Sequence, residues 1–123
     1  MLIVRIQLVG DAGAPAPHDD LQPLADTRGV VLGSQPVGTW VTLDYLPRER
    51  YAANATRMTP DVRPVLVFVT LTALPEENDL SRLVAALTST IADQLDRPKH
   101  NTHVWFEPPA AGRIAFGGNF VRS

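Results

Sequence analysis

Residues 2–6 (LIVRI) and residues 65–69 (VLVFV) are two short apolar stretches that match without a gap when the chain is shifted along itself so that residue 2 falls on residue 65. The same shift superposes five further pairs of similar or identical residues: Leu24 on Leu87, Leu32 on Leu95, Val41 on Val104, Asp44 on Glu107 and Arg50 on Arg113. A fixed internal period of this length indicates duplication of one supersecondary unit. We therefore predict an internal repeat with copies at residues 1–54 and 64–118, joined by a linker at about 47–63.

Each copy has the pattern of a strand, a helix and a second strand. Alternating or continuous apolar residues predict strands at 2–9, 39–46, 64–71 and 102–107, and the continuous run at 64–71 predicts the most buried strand. Apolar residues at steps of three and four after Pro75 predict an amphipathic helix: Leu80, Leu83, Val84, Leu87, Ile91 and Leu95. A first helix is predicted from Leu21 through Leu32, although it contains Pro23 and Gly29.

Two consecutive strand–helix–strand units predict an α+β fold, a two-layer α/β sandwich. Because such crossovers are right-handed, both helices lie on one face of a four-stranded sheet, and short hairpin segments follow at the C-terminus. A chain of 123 residues with 45% hydrophobic content suits a single domain, residues 1–123, with one core.

The strand alternation predicts which residues occupy the sheet face that the helices leave open. This set consists of five residues, two of which are tryptophans: Trp40, Thr42, His103, Trp105 and Glu107. So aromatic a face is usually covered by another subunit. We therefore predict a homo-oligomer.

Composition argues against several classes of partner and site. Eleven basic and thirteen acidic residues give a formal charge of −2, which predicts no nucleic-acid partner. No apolar run approaches the ~20 residues of a membrane helix, and the start MLIVRIQL lacks the features of a signal peptide, which predicts no membrane partner and a cytoplasmic location. Without cysteine, and with His100 and His103 entering a strand, no metal site and no cofactor are predicted.

The paired units, together with residues 107–118 (EPPAAGRIAFGG), resemble the tautomerase superfamily, which includes 4-oxalocrotonate tautomerase and macrophage migration inhibitory factor. The stretch GRIAFGG is similar to the short glycine-rich hairpin of the small members. The resemblance implies a homotrimer with small-molecule pockets between subunits.

The same resemblance implies catalysis by an N-terminal proline whose amine moves a proton between carbon and oxygen of a keto or enol acid. In this chain Leu2 occupies that position, and Met1 precedes it. Methionine is normally removed only before small residues, so we expect Met1 to be retained. The resemblance then implies the α-amine of Met1 as a displaced general base. An α-amine has a pKa of about 7.7–8.0 in model peptides, and apolar burial lowers it.

Substrate-binding residues are also implied by the resemblance. Relatives that handle carboxylates often present arginines where this chain has residues 70–74 (TLTAL), and this difference argues against a dianionic substrate. The candidate substrate-binding residues are Arg113, Arg50, Tyr51, Phe116 and Thr72, with Arg5 and Arg48 as weaker candidates.

Two hypotheses about function follow. In the first, the protein is a tautomerase-like keto–enol isomerase that acts on a small carbonyl acid with a terminal amine. In the second, it is a non-catalytic trimeric scaffold or a small-ligand-binding protein of the same fold. A fold by itself does not decide between them.

Overall fold

The computed structural model describes residues 2–10, 22–23, 25–26, 38–53 and 63–122. These residues form a four-stranded mixed sheet, one long helix and a small two-stranded sheet, which confirms the predicted α+β class. The strands are β1 (Leu2–Gly10), β2 (Thr39–Pro47), β3 (Val65–Leu71), β4 (Thr102–Phe106), β5 (Ala115–Phe116) and β6 (Asn119–Phe120), and the helix is α1 (Glu77–Leu95). Short 3₁₀ turns at Arg48–Arg50 and Lys99–Asn101 follow β2 and precede β4.

The main sheet has the strand order β2-β1-β3-β4. β1 pairs in parallel with β2, and β3 pairs in parallel with β4, as expected for two strand–helix–strand units. The two parallel pairs meet in the centre, where β1 and β3 run antiparallel. The repeat boundaries and the linker stay predictions, and residues 54–62 of that linker lie outside the described residues.

The core lies between α1 and one face of the sheet. Every second residue of the two central strands is at most 2% exposed and points into it: Val4, Ile6, Leu8, Val65, Val67 and Val69. Residues 64–71, predicted as the most buried strand, include no exposed residue, although Leu66, Phe68 and Thr70 are only partly buried on the other face. In the part of the chain that the structure describes, no helix covers that face, so the apolar residues of this strand are fully buried on one side only.

The helix α1 follows the predicted apolar spacing. Leu87, Ile91 and Leu95 are buried against the sheet, at steps of four that bring them to one face of the helix. The helix ends where Asp96 adopts a left-handed conformation, with φ 53°. The amide of Arg97 then donates to the carbonyl of Ala92 at 2.9 Å, which is the hydrogen bond of a Schellman cap.

Part of the predicted first helix is helical in the structure. Gln22, Pro23, Ala25 and Asp26 are helical, and the Gln22 side-chain amide donates to the Asp26 carboxylate at 2.8 Å. The rest of the predicted segment lies outside the described residues. Among the described residues, no helix combines the length and the apolar character that crossing a membrane requires.

The side chain of Arg97 ties together the end of β1 and the residues before β3. Its guanidinium donates to the carbonyls of Val9 at 3.0 Å and Arg63 at 2.8 Å. Burial lowers the pKa of Arg97, and the neighbouring Arg63 lowers it further, while Tyr45 raises it. This arrangement occupies the end of the sheet where β1 and β2 finish.

Truncation of the core should measure how much α1 contributes to stability. Leu87→Ala removes a fully buried side chain and leaves a cavity, so we expect the free energy of unfolding to fall by about 2–5 kcal/mol in urea denaturation. The control is Leu74→Ala, at a residue that is 43% exposed, where we expect a loss of less than about 1 kcal/mol. Equal losses in the two variants would contradict the described packing.

Candidate functional site

The strand register arranges the open face of the sheet in rows of side chains. In the central row, Arg5 lies between Thr42 and Phe68, and Phe68 in turn pairs with Trp105. The neighbouring row, towards the start of β1, contains Ile3, Thr70 and Trp40. Each row begins on the edge strand β2 and continues across the central strands β1 and β3 towards β4. Residues that are far apart in sequence therefore become neighbours.

Glu107 extends the second row by one position. Phe106 pairs with Val69, and the amide of Glu107 then donates to the Val69 carbonyl at 2.8 Å. Because side chains alternate along a strand, Glu107 lies on the open face with Trp105, whereas Phe106 packs against the core. The sequence prediction of Glu107 on this face agrees with that arrangement.

Residues 107–114, which follow β4 and are called the crossing segment below, pass the end of the sheet and are held there by backbone hydrogen bonds. The amide of Ala110 donates to the Leu71 carbonyl at 2.9 Å, and the amide of Ala111 donates to the Thr72 carbonyl at 3.1 Å. The Arg113 amide donates to the Ala110 carbonyl at 2.8 Å and closes a turn in which Gly112 has φ +74°. Ala110 is 4% exposed, so the crossing segment is packed down rather than extended into solvent.

A cleft of about 280 Å³ lies between this crossing segment and the open face. Its lining combines two arginines, a carboxylate and a hydroxyl with apolar side chains: Arg5, Thr70, Glu107, Pro108, Ala110, Arg113 and Ile114. The cleft is at the end of the sheet where β1 begins, because Thr70 is opposite Ile3 in the register. It is large enough for a ligand of modest size.

The two arginines of the cleft make interactions that do not involve Glu107. The Arg5 guanidinium lies 5.5 Å from the centre of the Phe68 ring, within cation–π range. Arg113 donates one hydrogen bond, from Nη1 to the Pro109 carbonyl at 3.3 Å. Among the described residues, the Glu107 carboxylate has no basic group within the 4.0 Å of an ion pair. Arg5, Arg113 and Glu107 therefore line one cleft without forming an ion pair with one another.

A short hairpin after the cleft returns the chain to the far edge of the sheet. Gly117 and Gly118 have φ +56° and +87°, the left-handed conformations that a two-residue turn between β5 and β6 requires. Phe116 on this hairpin contacts Trp40 on β2, with ring centroids 4.6 Å apart. The tail that follows β4 at one edge of the sheet thus brings the hairpin to β2 at the other edge.

The structure brings some predicted site residues to the cleft and separates others from it. Arg113 lines the cleft, Phe116 lies two residues beyond its Ile114 wall, and Thr72 holds the crossing segment through its carbonyl. Arg50 and Tyr51 follow β2 and lie at the opposite end of the sheet. Nine residues of β1 at ~3.3 Å per residue separate the two ends by roughly 26 Å.

The N-terminal residues of β1 belong to the same end of the sheet as the cleft. Met1 lies outside the described residues, and Leu2 is the first residue of β1, opposite Leu71 in the register. Leu2 therefore begins its strand one position from Thr70 of the cleft.

Arg5 is only a weaker candidate from the sequence, and Glu107 and Thr70 are not among the substrate-binding residues that the sequence predicts. Their alternation along strands indicated only that they share a face. The pairing of β1 with β3, and of β3 with β4, makes them neighbours, and no local pattern predicts that pairing. Among the described residues, no group of three histidine, aspartate or glutamate side chains is arranged to hold a metal ion.

Comparison with known proteins shows what the fold resembles. No family model and no curated protein matches this chain. Among solved structures, a fused 4-OT in an asymmetric trimer has a TM-score of 0.69 at 21% identity, covering 94% of each chain. Pt0534 inactivated by 2-oxo-3-pentynoate has a TM-score of 0.73 at 21% identity, covering 97% of this chain and 94% of the other.

A third similar structure is a macrophage migration inhibitory factor homologue from Prochlorococcus marinus. Its TM-score is 0.70 at 17% identity, covering 96% of this chain and 97% of the other. At these identities the likeness shows the fold alone. The chain has the fold of the tautomerase superfamily, as the sequence resemblance implied.

The glycine turn should be needed for the contact between hairpin and sheet. Gly118→Val leaves the added Cβ in open space but forces a branched residue to φ +87°, so we expect the hairpin to lose about 1–2 kcal/mol. In a Trp105→Phe background Trp40 is the only tryptophan, and its fluorescence should shift towards that of an exposed indole.

Gly117→Asn serves as the matched control, because asparagine tolerates the left-handed conformation and Asn-Gly favours this turn. It should keep the spectrum of the parent. An unchanged Trp40 spectrum in the Gly118→Val variant would contradict the described role of the turn.

Proposed function

We propose that this chain, which has the tautomerase-superfamily fold, binds a small carbonyl acid in the cleft beside the start of β1 and moves a proton between its carbon and oxygen atoms. The observation that carries the proposal is the position of Arg5 and Arg113 in one small cleft at that end of the sheet. An acid of this kind has a carboxylate that needs cationic hydrogen-bond donors, and a carbonyl group that forms an enol.

The arginines account for the anionic part of the ligand. A guanidinium donates hydrogen bonds to a carboxylate and is not deprotonated in proteins. A cleft of about 280 Å³ restricts the ligand to a small molecule. The similar protein Pt0534 is inactivated by 2-oxo-3-pentynoate, which is itself a small 2-oxo acid, and this supports the same class of ligand here.

The proposed base is the α-amine of Met1, the group that the superfamily resemblance assigns to proton transfer. In the reaction the amine removes a proton from the carbon next to the carbonyl, and the ammonium group so formed donates a proton to the carbonyl oxygen, which gives the enol and restores the free amine. Leu2 stands at the position of the superfamily proline, so the amine belongs to the preceding residue. The start of β1 beside Thr70 supports a role for this end of the chain at the cleft.

We also propose that the protein self-associates as a homotrimer. Trp105 is 64% exposed and Trp40 is 48% exposed, and both lie on the open face, where another subunit would cover them. The similar fused 4-OT is itself a trimer. The remaining proposed substrate contacts, Arg50 and Tyr51, would then reach a cleft only from a neighbouring copy, because within one chain they lie at the other end of the sheet.

A second candidate function is non-catalytic binding of a small acid by the same trimeric fold. The observation that favours it is Leu2, which replaces the secondary amine of proline with an internal amide. Both candidates use the same cleft and the same arginines, and they differ in whether a terminal amine transfers a proton.

Ketonisation of the enol of phenylpyruvate should distinguish the two candidates. Protein whose N-terminus has been verified by mass spectrometry should accelerate the reaction, and chemical blocking of the α-amine should abolish the acceleration. Arg113→Met should raise KM by about 10-fold or more, because the variant loses a charge-assisted hydrogen bond to the substrate carboxylate.

Arg82→Met is the matched control, because Arg82 is 83% exposed on α1 and lies apart from the cleft lining. It should leave KM unchanged. A variant that lacks Met1 and carries Leu2→Pro should be faster by orders of magnitude. No rate in any of these proteins, with phenylpyruvate still bound, would favour the non-catalytic candidate.

The proposed trimer can be tested by light scattering combined with size-exclusion chromatography. We expect a mass of about three chains, because burial of three tryptophan-bearing faces favours a closed assembly. The double variant Trp40→Ser and Trp105→Ser should dissociate it. A monomer of 13.4 kDa at micromolar concentration would contradict the proposal.

A further inference from the structure

Among the described residues that line the cleft, Glu107 is the one with an acidic side chain, and backbone hydrogen bonds position this residue. Its amide is bonded to the Val69 carbonyl at 2.8 Å, which extends the β3–β4 ladder by one residue. The next hydrogen bonds of the crossing segment, from Ala110 and Ala111, hold the following chain in place. The carboxylate is therefore presented from a fixed part of the backbone, and is only partly exposed.

Glu107 shares the cleft lining with two basic residues. Arg5 and Arg113 line the same cleft, yet neither forms an ion pair with it. Arg5 lies over the Phe68 ring, and Arg113 donates to the Pro109 carbonyl. Both interactions position the arginines independently of Glu107, so the three charged groups are available to a ligand together.

The hydrogen-bonding chemistry of the three groups is complementary. An arginine offers only donors, and an ionised glutamate offers only acceptors. A ligand that satisfies all three must carry an anionic acceptor for the arginines and a separate hydrogen-bond donor for the glutamate. A second carboxylate in that position would instead meet Glu107 with like charge and with no proton between the two groups.

We infer that Glu107 determines the specificity of the cleft by selecting monocarboxylates that carry a hydroxyl or enol O–H and by rejecting dicarboxylates. This inference rests on the proposed function, and it refines the ligand class of the same cleft. The keto form of a 2-oxo acid has acceptors alone, whereas its enol has an O–H that donates to the carboxylate. Glu107 thus favours the enol over the keto form by a hydrogen bond, without itself taking the proton.

Three stable ligands that differ in a single group test this inference by isothermal titration calorimetry. They are 3-phenylpropanoate, 2-hydroxy-3-phenylpropanoate, which adds a hydroxyl donor, and 2-benzylmalonate, which has a carboxylate in place of that hydroxyl. On the unmodified protein we expect the hydroxy acid to bind best. We expect the malonate to bind at least about 10-fold more weakly than the hydroxy acid.

Glu107→Gln replaces the carboxylate by a neutral amide of the same shape, which both donates and accepts. The hydroxy acid should lose only a few-fold in affinity, whereas the malonate should gain about 10-fold or more, so that the preference narrows or reverses. Glu77→Gln is the matched control: it removes the same charge from an exposed residue in the first turn of α1 and should leave the order of the three ligands unchanged.

The outcomes separate this inference from the proposed function. Equal affinity of the unmodified protein for the hydroxy acid and the malonate would overturn the role of Glu107 while leaving acid binding intact. Tighter malonate binding in both the Glu107→Gln and the Glu77→Gln variants would also overturn it, because the effect would then be one of net charge. No binding of any of the three ligands would overturn both proposals. The comparison on the unmodified protein decides the question even where Glu107→Gln does not fold.

Discussion

The antiparallel pairing of β1 with β3 is the contact on which the other features of the structure depend. It places Val4 opposite Val69 and Ile6 opposite Val67, and all four side chains are buried against α1. Since side chains alternate along a strand, a slip of one residue would turn this apolar set to the open face and bring Arg5 into the core. The burial of one face therefore sets the register of both central strands.

The same register creates the candidate site on the opposite face. Arg5 and Thr70 become neighbours only because β1 pairs with β3, and Glu107 joins them because β4 pairs with β3. The crossing segment completes the cleft through backbone hydrogen bonds to Leu71 and Thr72, so its position depends little on which side chains it carries. Since backbone groups hold the segment, the side chains that line the cleft can contact a ligand without a structural role of their own.

The tail is held at both ends by different physical means. Its first part is bonded to the end of β3, and its last part is a hairpin whose tight turn relies on two glycines and whose Phe116 ring contacts Trp40. The first anchor is at the end of the central strand β3 and the second is on the edge strand β2, so the tail crosses the sheet beside the cleft.

The sequence by itself determined the strands, the helix α1 and the side of each strand that faces the core, because the spacing of apolar residues is a local property that burial makes almost obligatory. It also predicted Arg113 as a site residue and Glu107 as a residue of the open face. The apolar run at 64–71 did not reveal that one side of the strand is less buried than the other, since such a run does not show whether a second layer covers it. Only the tertiary structure decided that Arg5, Thr70, Glu107 and Arg113 share one cleft while Arg50 and Tyr51 follow the opposite end of β2, because strand pairing joins residues that no local pattern connects.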